Sequence, residues 1–288
     1  LVLLALAVTW GSSFILIKRA LFAWDGSPIF TAFETGALRI TIAGIFLAPA
    51  AFRQMKLLRT PRVKYFLLVG LCGNAIPAFL FATAQTGIPS ALAGMINSLT
   101  PLFALLLGIL VFRNSVKPLQ VVGIVVGLIA AILLLFSSGS MQGQAIDWRY
   151  MVPAIAAAFL YGVSLNVIKE YLQEQPALAI TSLALLLVLP IGLAVLAFTD
   201  VPHKLMHLSG AWHSLGAVSL LAILGTAVAL VLFNRLVQET GALFAASVTY
   251  LIPVVAIGWG LADGEGLNVW QGVAAGAMVV AIALINRK

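Results

Sequence analysis

"WGSSFILIK" runs from Trp10 to Lys18, and "YGVSLNVIK" runs from Tyr161 to Lys169. Both begin aromatic-Gly-x-Ser and close on Ile-Lys, at an offset of 151 residues. Two further stretches return in the same order. "MINSLTP" (Met95 to Pro101) recurs as "SVTYLIP" (Ser247 to Pro253) at an offset of 152, with the prolines in register. The Gly123/Gly127 pair of "QVVGIVVGL" recurs at an offset of 149 as Gly272/Gly276 in "WQGVAAGAM". Each match alone is weak, but three in one order at nearly one offset mark an internal duplication.

The duplicated unit is apolar throughout. The chain has 288 residues, of which 62% are hydrophobic and 9% charged, with mean hydropathy +1.12. A soluble domain carries about 25% charged residues, so this composition cannot cover a water-facing surface. The apolar runs are continuous and about 20 residues long, the length a helix needs to cross a bilayer, and they lack the alternation of a membrane barrel. Turn signals divide them at 1–20, 29–51, 64–85, 88–112, 117–137, 150–171, 177–198, 212–235, 240–262 and 267–286. The predicted fold class is an all-α polytopic membrane protein, with ten transmembrane helices as two five-helix repeats at residues 1–140 and 141–288. An odd number of spans reverses the direction of insertion, so the second repeat is expected upside down relative to the first, an inverted-topology arrangement common among secondary transporters.

With both termini cytoplasmic, the inner connections hold Arg53, Lys56, Arg59, Arg62, Lys64, Arg113, Lys117, Lys169, Arg235, Arg287 and Lys288. The outer ones hold Lys18, Arg19, Arg149 and Lys204. That bias sets the expected orientation. It also accounts for the net charge of +7 without invoking nucleic acid. The chain opens inside an apolar run, so residues are expected to precede Leu1; the run lacks the basic start and cleavage pattern of a signal peptide. Cys72 is the single cysteine and reads as a packing residue. His203, His207 and His213 lack the Cys or carboxylate partners of a metal site. No cofactor and no metal are expected. The expected partners are the lipid bilayer and a small-molecule substrate, on a monomer.

Candidate site residues are the polar interruptions of these spans. Asn97, Thr100 and Pro101 lie near the middle of span four, and Thr249, Tyr250 and Pro253 hold the equivalent place in span nine. A proline removes one backbone donor and frees the carbonyl four residues earlier, which in hydrocarbon needs a partner or a water-filled cavity. A capped kink is one reading; a broken helix facing a central site is the other, and its duplication favours it. Trp10, Ser13 and Phe14 share a face of span one, with Tyr161, Ser164 and Asn166 as their counterparts on span six. The alternative for this set is an interfacial aromatic belt. Asn74, Pro77, Phe79, Gln85, Thr226, Asn234 and Gln238 interrupt spans three and eight, as cavity lining or as interhelical glue. Of these, Asn74 and Phe79 join the expected substrate-binding set. Arg39 sits about 15 Å into span two at 1.5 Å per residue. An ionisable residue at that depth is either a brace or a functional group, for coupling or for a substrate carboxylate. Glu34, five residues earlier, is a candidate proton carrier for coupling, but it lies about 140° round the helix and makes no ideal bridge to Arg39.

Three function classes meet these features. A membrane-embedded enzyme needs paired carboxylates, a His/Glu zinc set or a Ser/His pair at depth, yet Asp25, Asp147, Asp200 and Asp263 all sit in connections. No H-E-x-x-H, G-x-S-x-G or P-loop motif is present, so hydrolysis and ATP-driven pumping have no machinery. A channel needs no duplicated mid-membrane break. A secondary transporter working by alternating access uses both features. One arginine at depth is too few for phosphate substrates; amides, hydroxyls and aromatics suit a small zwitterion or cation with an apolar body.

"WGSSFILIK", "AFETGALRITIAGIFLAP", "SLTPLFALLLGILVFR" and "QVVGIVVGLIAAILL" resemble the repeat unit of the drug/metabolite transporter superfamily, EamA type, over the whole chain in two copies. Within it the chain is most similar to bacterial YddG-type exporters of aromatic amino acids. The resemblance implies export of Phe, Tyr or Trp across a bacterial inner membrane, with export of cationic drugs as the alternative. Two features depart from the pattern. The Gly-Glu expected after span four is Phe112-Arg113, although Gly264-Glu265 keeps it in the second copy, and Arg39 has no charged counterpart there.

Overall fold

The computed structural model describes residues 1–137, 147–255 and 269–286. The second-copy Gly264-Glu265, Asp263, Arg287 and Lys288 lie outside the described residues. Every element among those described is helical, apart from an isolated bridge between Phe22 and Pro28. In chain order the helices are α1 (Val2–Leu21), α2 (Ala32–Gln54), α3 (Val63–Gly70), α4 (Ile76–Ala84), α5 (Ser90–Asn97), α6 (Thr100–Leu110) and α7 (Pro118–Ser137). After residue 147 come α8 (Trp148–Tyr171), α9 (Ala177–Ala197), α10 (Val201–His207), α11 (Ala211–Ala222), α12 (Ala229–Thr240), α13 (Ala242–Ala246) and α14 (Val269–Asn286).

By length and composition, seven helical stretches among the described residues can cross a membrane, and Pro118–Leu133, Ala242–Val255 and Gly272–Ile285 are shorter apolar helices. These three stand where spans five, nine and ten are expected. The environment is written on α7. Val122, Val125, Ile129, Ile132 and Phe136 are exposed at helical spacing, while Gly123, Ile124, Gly127, Ala130 and Ala131 are buried. An apolar stripe on the outside of a helix is unfavourable in water and at home in lipid.

Four interruptions break the regular helices. A π-helical turn, Leu71–Ala75, joins α3 to α4, and another, Ile223–Val228, joins α11 to α12. Between α5 and α6 the chain passes through Ser98 and Leu99, whose N–H groups donate to the carbonyls of Met95 and Ile96. The 3-10 turn Ser247–Tyr250 leads from α13 into helical residues 251–255. Pro101 falls in the first turn of α6, where a missing N–H costs no intrahelical bond.

The pairing of helices is unchanged when the two halves are exchanged. α2 packs along α9 and α7 along α14, while α1 lies against α11 and α12 as α8 lies against α3 and α4. Gly123 admits the α7–α14 contact, since a Cβ there would stand 2.8 Å from Ile285 Cγ1 and 2.9 Å from the Ala281 carbonyl. A Cβ on Gly276, the repeat counterpart of Gly127, would meet nothing within 4 Å. Glu34 is drawn into the start of α2. Its carboxylate accepts the Thr31 N–H at 2.7 Å while its own N–H donates to Thr31 Oγ1, a capping box. The same Oε2 pairs with Lys204 Nζ of α10 at 2.6 Å.

Candidate functional site

The four interruptions surround one cavity, with about 90 Å³ open to the centres of water-sized molecules. Trp10, Ser13 and Phe14 reach it from α1, Arg39 from α2, and Gly73, Asn74 and Phe81 from the first π turn and α4. Asn97 and Thr100 flank the α5/α6 break, and Tyr161 and Ser164 line it from α8. Thr181, Gly225, Phe233, Asn234 and Thr249 complete the wall.

The π turns explain how polar groups survive here. A π turn leaves one helical carbonyl without its usual partner, and a side chain five residues on covers it in both halves. Asn74 Nδ2 donates to the Val69 carbonyl at 3.3 Å, and Thr226 Oγ1 donates to the Leu221 carbonyl at 3.0 Å. Each turn also carries a glycine under a serine of the opposite half. A Cβ on Gly73 would stand 2.5 Å from Ser164 Oγ, and one on Gly225 would stand 2.8 Å from Ser13 Oγ. Glycine there lets α8 and α1 close on the π turns. Trp10 Nε1 donates to the Gly225 carbonyl at 2.9 Å, with its ring edge-on to Phe233 at 4.8 Å.

The two broken helices touch. Ser98 Oγ donates to the Thr249 carbonyl at 3.1 Å, Thr249 Oγ1 donates to the Ala246 carbonyl at 3.0 Å, and Thr100 Oγ1 donates to Asn97 Oδ1 at 3.3 Å. Two aromatic clusters flank this polar layer. Phe81 stacks on Tyr161 at 5.9 Å and meets Phe14 edge-on at 5.6 Å; Trp10 packs against that cluster and also against the one holding Phe233, Leu165 and Ile168.

Arg39 is the charged side chain of the wall. Its Nε donates to Thr226 Oγ1 at 2.8 Å, and its guanidinium approaches the Tyr161 hydroxyl. No carboxylate among the described residues pairs with it. Thr226, with its own proton on Leu221, is a fixed acceptor that aims the guanidinium.

Ten of the expected residues therefore line one chamber: Trp10, Ser13, Phe14, Arg39, Asn74, Asn97, Thr100, Tyr161, Ser164 and Thr249. Three do not. Tyr250 is fully buried against α7, donating its hydroxyl to the Ile124 carbonyl at 3.1 Å. Each 3-10 residue turns about 120° rather than about 100°, so four of them carry Tyr250 roughly 80° past its α-helical bearing. Phe79 rests over Gly36, where a Cβ would meet its ring at 2.5 Å, beside Phe33. Glu34 stands in the cap and ion pair at the end of α2. Pro101 and Pro253 lie at the breaks without lining the cavity. Asn166 is glue, donating to the carbonyls of Ala104 and Gly162 at 3.0 and 2.9 Å.

Sequence reasoning missed Phe81, Phe233 and Thr181. The first two stand seven residues after Asn74 and Thr226, two helical turns along the same face, so that signal was present. Thr181, which accepts from Asn234 Nδ2 at 2.9 Å, sits in an apolar run and gave none. His203 and His207 stack at 4.1 Å on α10, away from the chamber.

Apolar helices enclosing a polar, charge-bearing chamber define a membrane transport protein. Residues 1–136 and 148–287 each match the EamA-like transporter family, and the chain belongs to that family. A relative from Escherichia coli (strain K12), described as an uncharacterized inner membrane transporter, YedA, is 30% identical over 99% of this chain and 89% of that protein. A probable amino-acid metabolite efflux pump of Salmonella typhimurium is 28% identical over 69% of this chain and 64% of that protein. A solved crystal structure superimposes with a TM-score of 0.72 over 98% of this chain and 94% of that one, at 20% identity; that likeness speaks for the fold alone.

Proposed function

We propose that this membrane transporter exports small amphipathic metabolites, aromatic amino acids and related compounds, by alternating access through the central cavity. The observation that carries the reading is the meeting of two broken helices, tied by Ser98 and the Thr249 carbonyl, beside an unpaired Arg39 and a stack of aromatic rings. Such a chamber offers a polar anchor for a head group and apolar faces for a ring. The architecture proposed is ten spans in two inverted repeats, 1–140 and 141–288, with both termini cytoplasmic. Two family matches along the chain and the exchange-invariant helix pairing support it. A bacterial inner membrane and outward direction are supported by relatives described as an inner membrane transporter and an amino-acid efflux pump. Export of cationic drugs is disfavoured by an arginine in a chamber whose wall, among the described residues, holds no carboxylate.

The test is counterflow. Purified protein in liposomes preloaded with phenylalanine, tyrosine or tryptophan should accumulate the labelled compound without ATP. Failure with all three, together with exchange of sugar phosphates, would overturn the substrate class.

A further inference from the structure

Among the described residues the chamber has a positive pole and no negative one. Asp25 and Asp147 stand in connections with their carboxylates bonded to local backbone, and Asp200 stands at the N-cap position of α10. Glu34, Glu174 and Glu239 are held by Lys204, Arg62 and Arg235, and Glu170 is exposed at the end of α8. None of these seven lines the cavity. Asp263 and Glu265 lie outside the described residues.

An occupant that is itself a zwitterion would leave the loaded chamber with the net charge of Arg39. Burying a net charge in hydrocarbon is costly, and a net-neutral pair is far cheaper. The uncharged acceptors do not make up the difference. Gly225 O already accepts from Trp10, Thr249 O from Ser98 and Asn97 Oδ1 from Thr100. An ammonium has three N–H groups to place. Ser13, Ser164, Tyr161 and Asn234 offer further uncharged acceptors, and among the described residues the buried wall oxygen without a partner is Asn74 Oδ1, whose Nδ2 is committed to Val69. That donor bond orients the amide, so the oxygen is the free atom. Such uncharged acceptors can hydrogen-bond an N–H but cannot cancel a positive charge.

Resting on the proposed export of small amphipathic metabolites, we propose that the preferred cargo is a monoanionic carboxylate with an aryl body and an uncharged nitrogen or keto group. N-acylated aromatic amino acids and aryl 2-oxo acids are the class, rather than the free zwitterions. Arg39 takes the carboxylate, aimed by Thr226. The Phe14–Phe81–Tyr161 cluster takes the ring, and Asn74 Oδ1 takes a single amide N–H where one is present. Arg39 is thereby the residue that sets charge selectivity.

The experiment compares four labelled compounds in counterflow with the full chain in liposomes at neutral pH: N-acetylphenylalanine, 3-phenyl-2-oxopropanoate, phenylalanine and phenethylamine. Both monoanions should exchange with an apparent efficiency at least about tenfold above phenylalanine, which is about 1.4 kcal/mol, with phenethylamine lowest. Arg39→Gln should bring the anion-to-zwitterion ratio to about one, and Arg39→Lys should keep part of it. The wild-type ranking decides the matter even if Arg39→Gln fails to fold. Phenylalanine exchanging as fast as N-acetylphenylalanine would overturn this proposal and leave the exporter reading standing. No exchange of any of the four would overturn both.

Discussion

Tyr250 and Gly127 make the sharpest test of where the site ends. A Cβ added to Gly127 would stand 2.5 Å from Tyr250 Cε2 and 2.6 Å from Cζ. The ring cannot swing aside freely, because Tyr250 is fully buried and its hydroxyl is held 3.1 Å from the Ile124 carbonyl. Overpacking a close-packed core costs about 1–3 kcal/mol, and a displaced hydrogen bond adds about 1 kcal/mol. Gly127→Ala should therefore destabilise by about 2–4 kcal/mol, and Tyr250→Phe by about 1 kcal/mol. At roughly 2 °C or more per kcal/mol for a chain of this size, the first should lower the thermal midpoint in detergent by at least about 4 °C and the second by about 2 °C. Gly127→Ala combined with Tyr250→Leu should cost less than the sum of the singles, because the smaller side chain relieves the clash. The KM for counterflow should not move in any of them, since neither residue lines the cavity. A several-fold KM change in Tyr250→Phe with an unaltered midpoint would place Tyr250 in the substrate path and refute the reasoning.

Other changes separate the chamber from its supports. Trp10→Phe keeps a ring against Phe233 but removes the donor to Gly225 O, so KM should rise about fivefold for a loss of about 1 kcal/mol, read in counterflow. Glu34→Gln strands Lys204; losing one partner of a buried pair costs about 3–5 kcal/mol, and Lys204 keeps 21% side-chain exposure, so about 1–3 kcal/mol should appear as a lower thermal midpoint. Arg62→Ala breaks a 3.6 Å pair whose side chains are 46% and 85% exposed, and should change stability by less than about 1 kcal/mol in the same melt.

Much of this was legible in the chain because apolar length and a repeated offset need no tertiary information. The prolines at 101 and 253 announce breaks, and Trp10, Ser13, Tyr161 and Ser164 announce a shared face, because a helix has a fixed period. The π turns were not legible. Gly73 and Gly225 look like ordinary small residues in apolar runs, and only the packing of Ser164 and Ser13 shows why they must lack a Cβ. Tyr250 was misplaced for a related reason, since the helical period stops applying inside the 3-10 turn that carries it. Glu34 was ambiguous because its partner, Lys204, comes from 170 residues away, which spacing along one helix cannot reveal.

Alternating access requires that the chamber open to both sides of the membrane in turn. Thr100→Cys and Thr249→Cys, each in a Cys72→Ala background, place single thiols at the two breaks. A membrane-impermeant thiol reagent added to one side of sealed, oriented vesicles should label each thiol from either face. N-acetylphenylalanine should slow the labelling. Labelling from one face alone, or labelling from both faces that no transported compound slows, would contradict alternating access through this cavity.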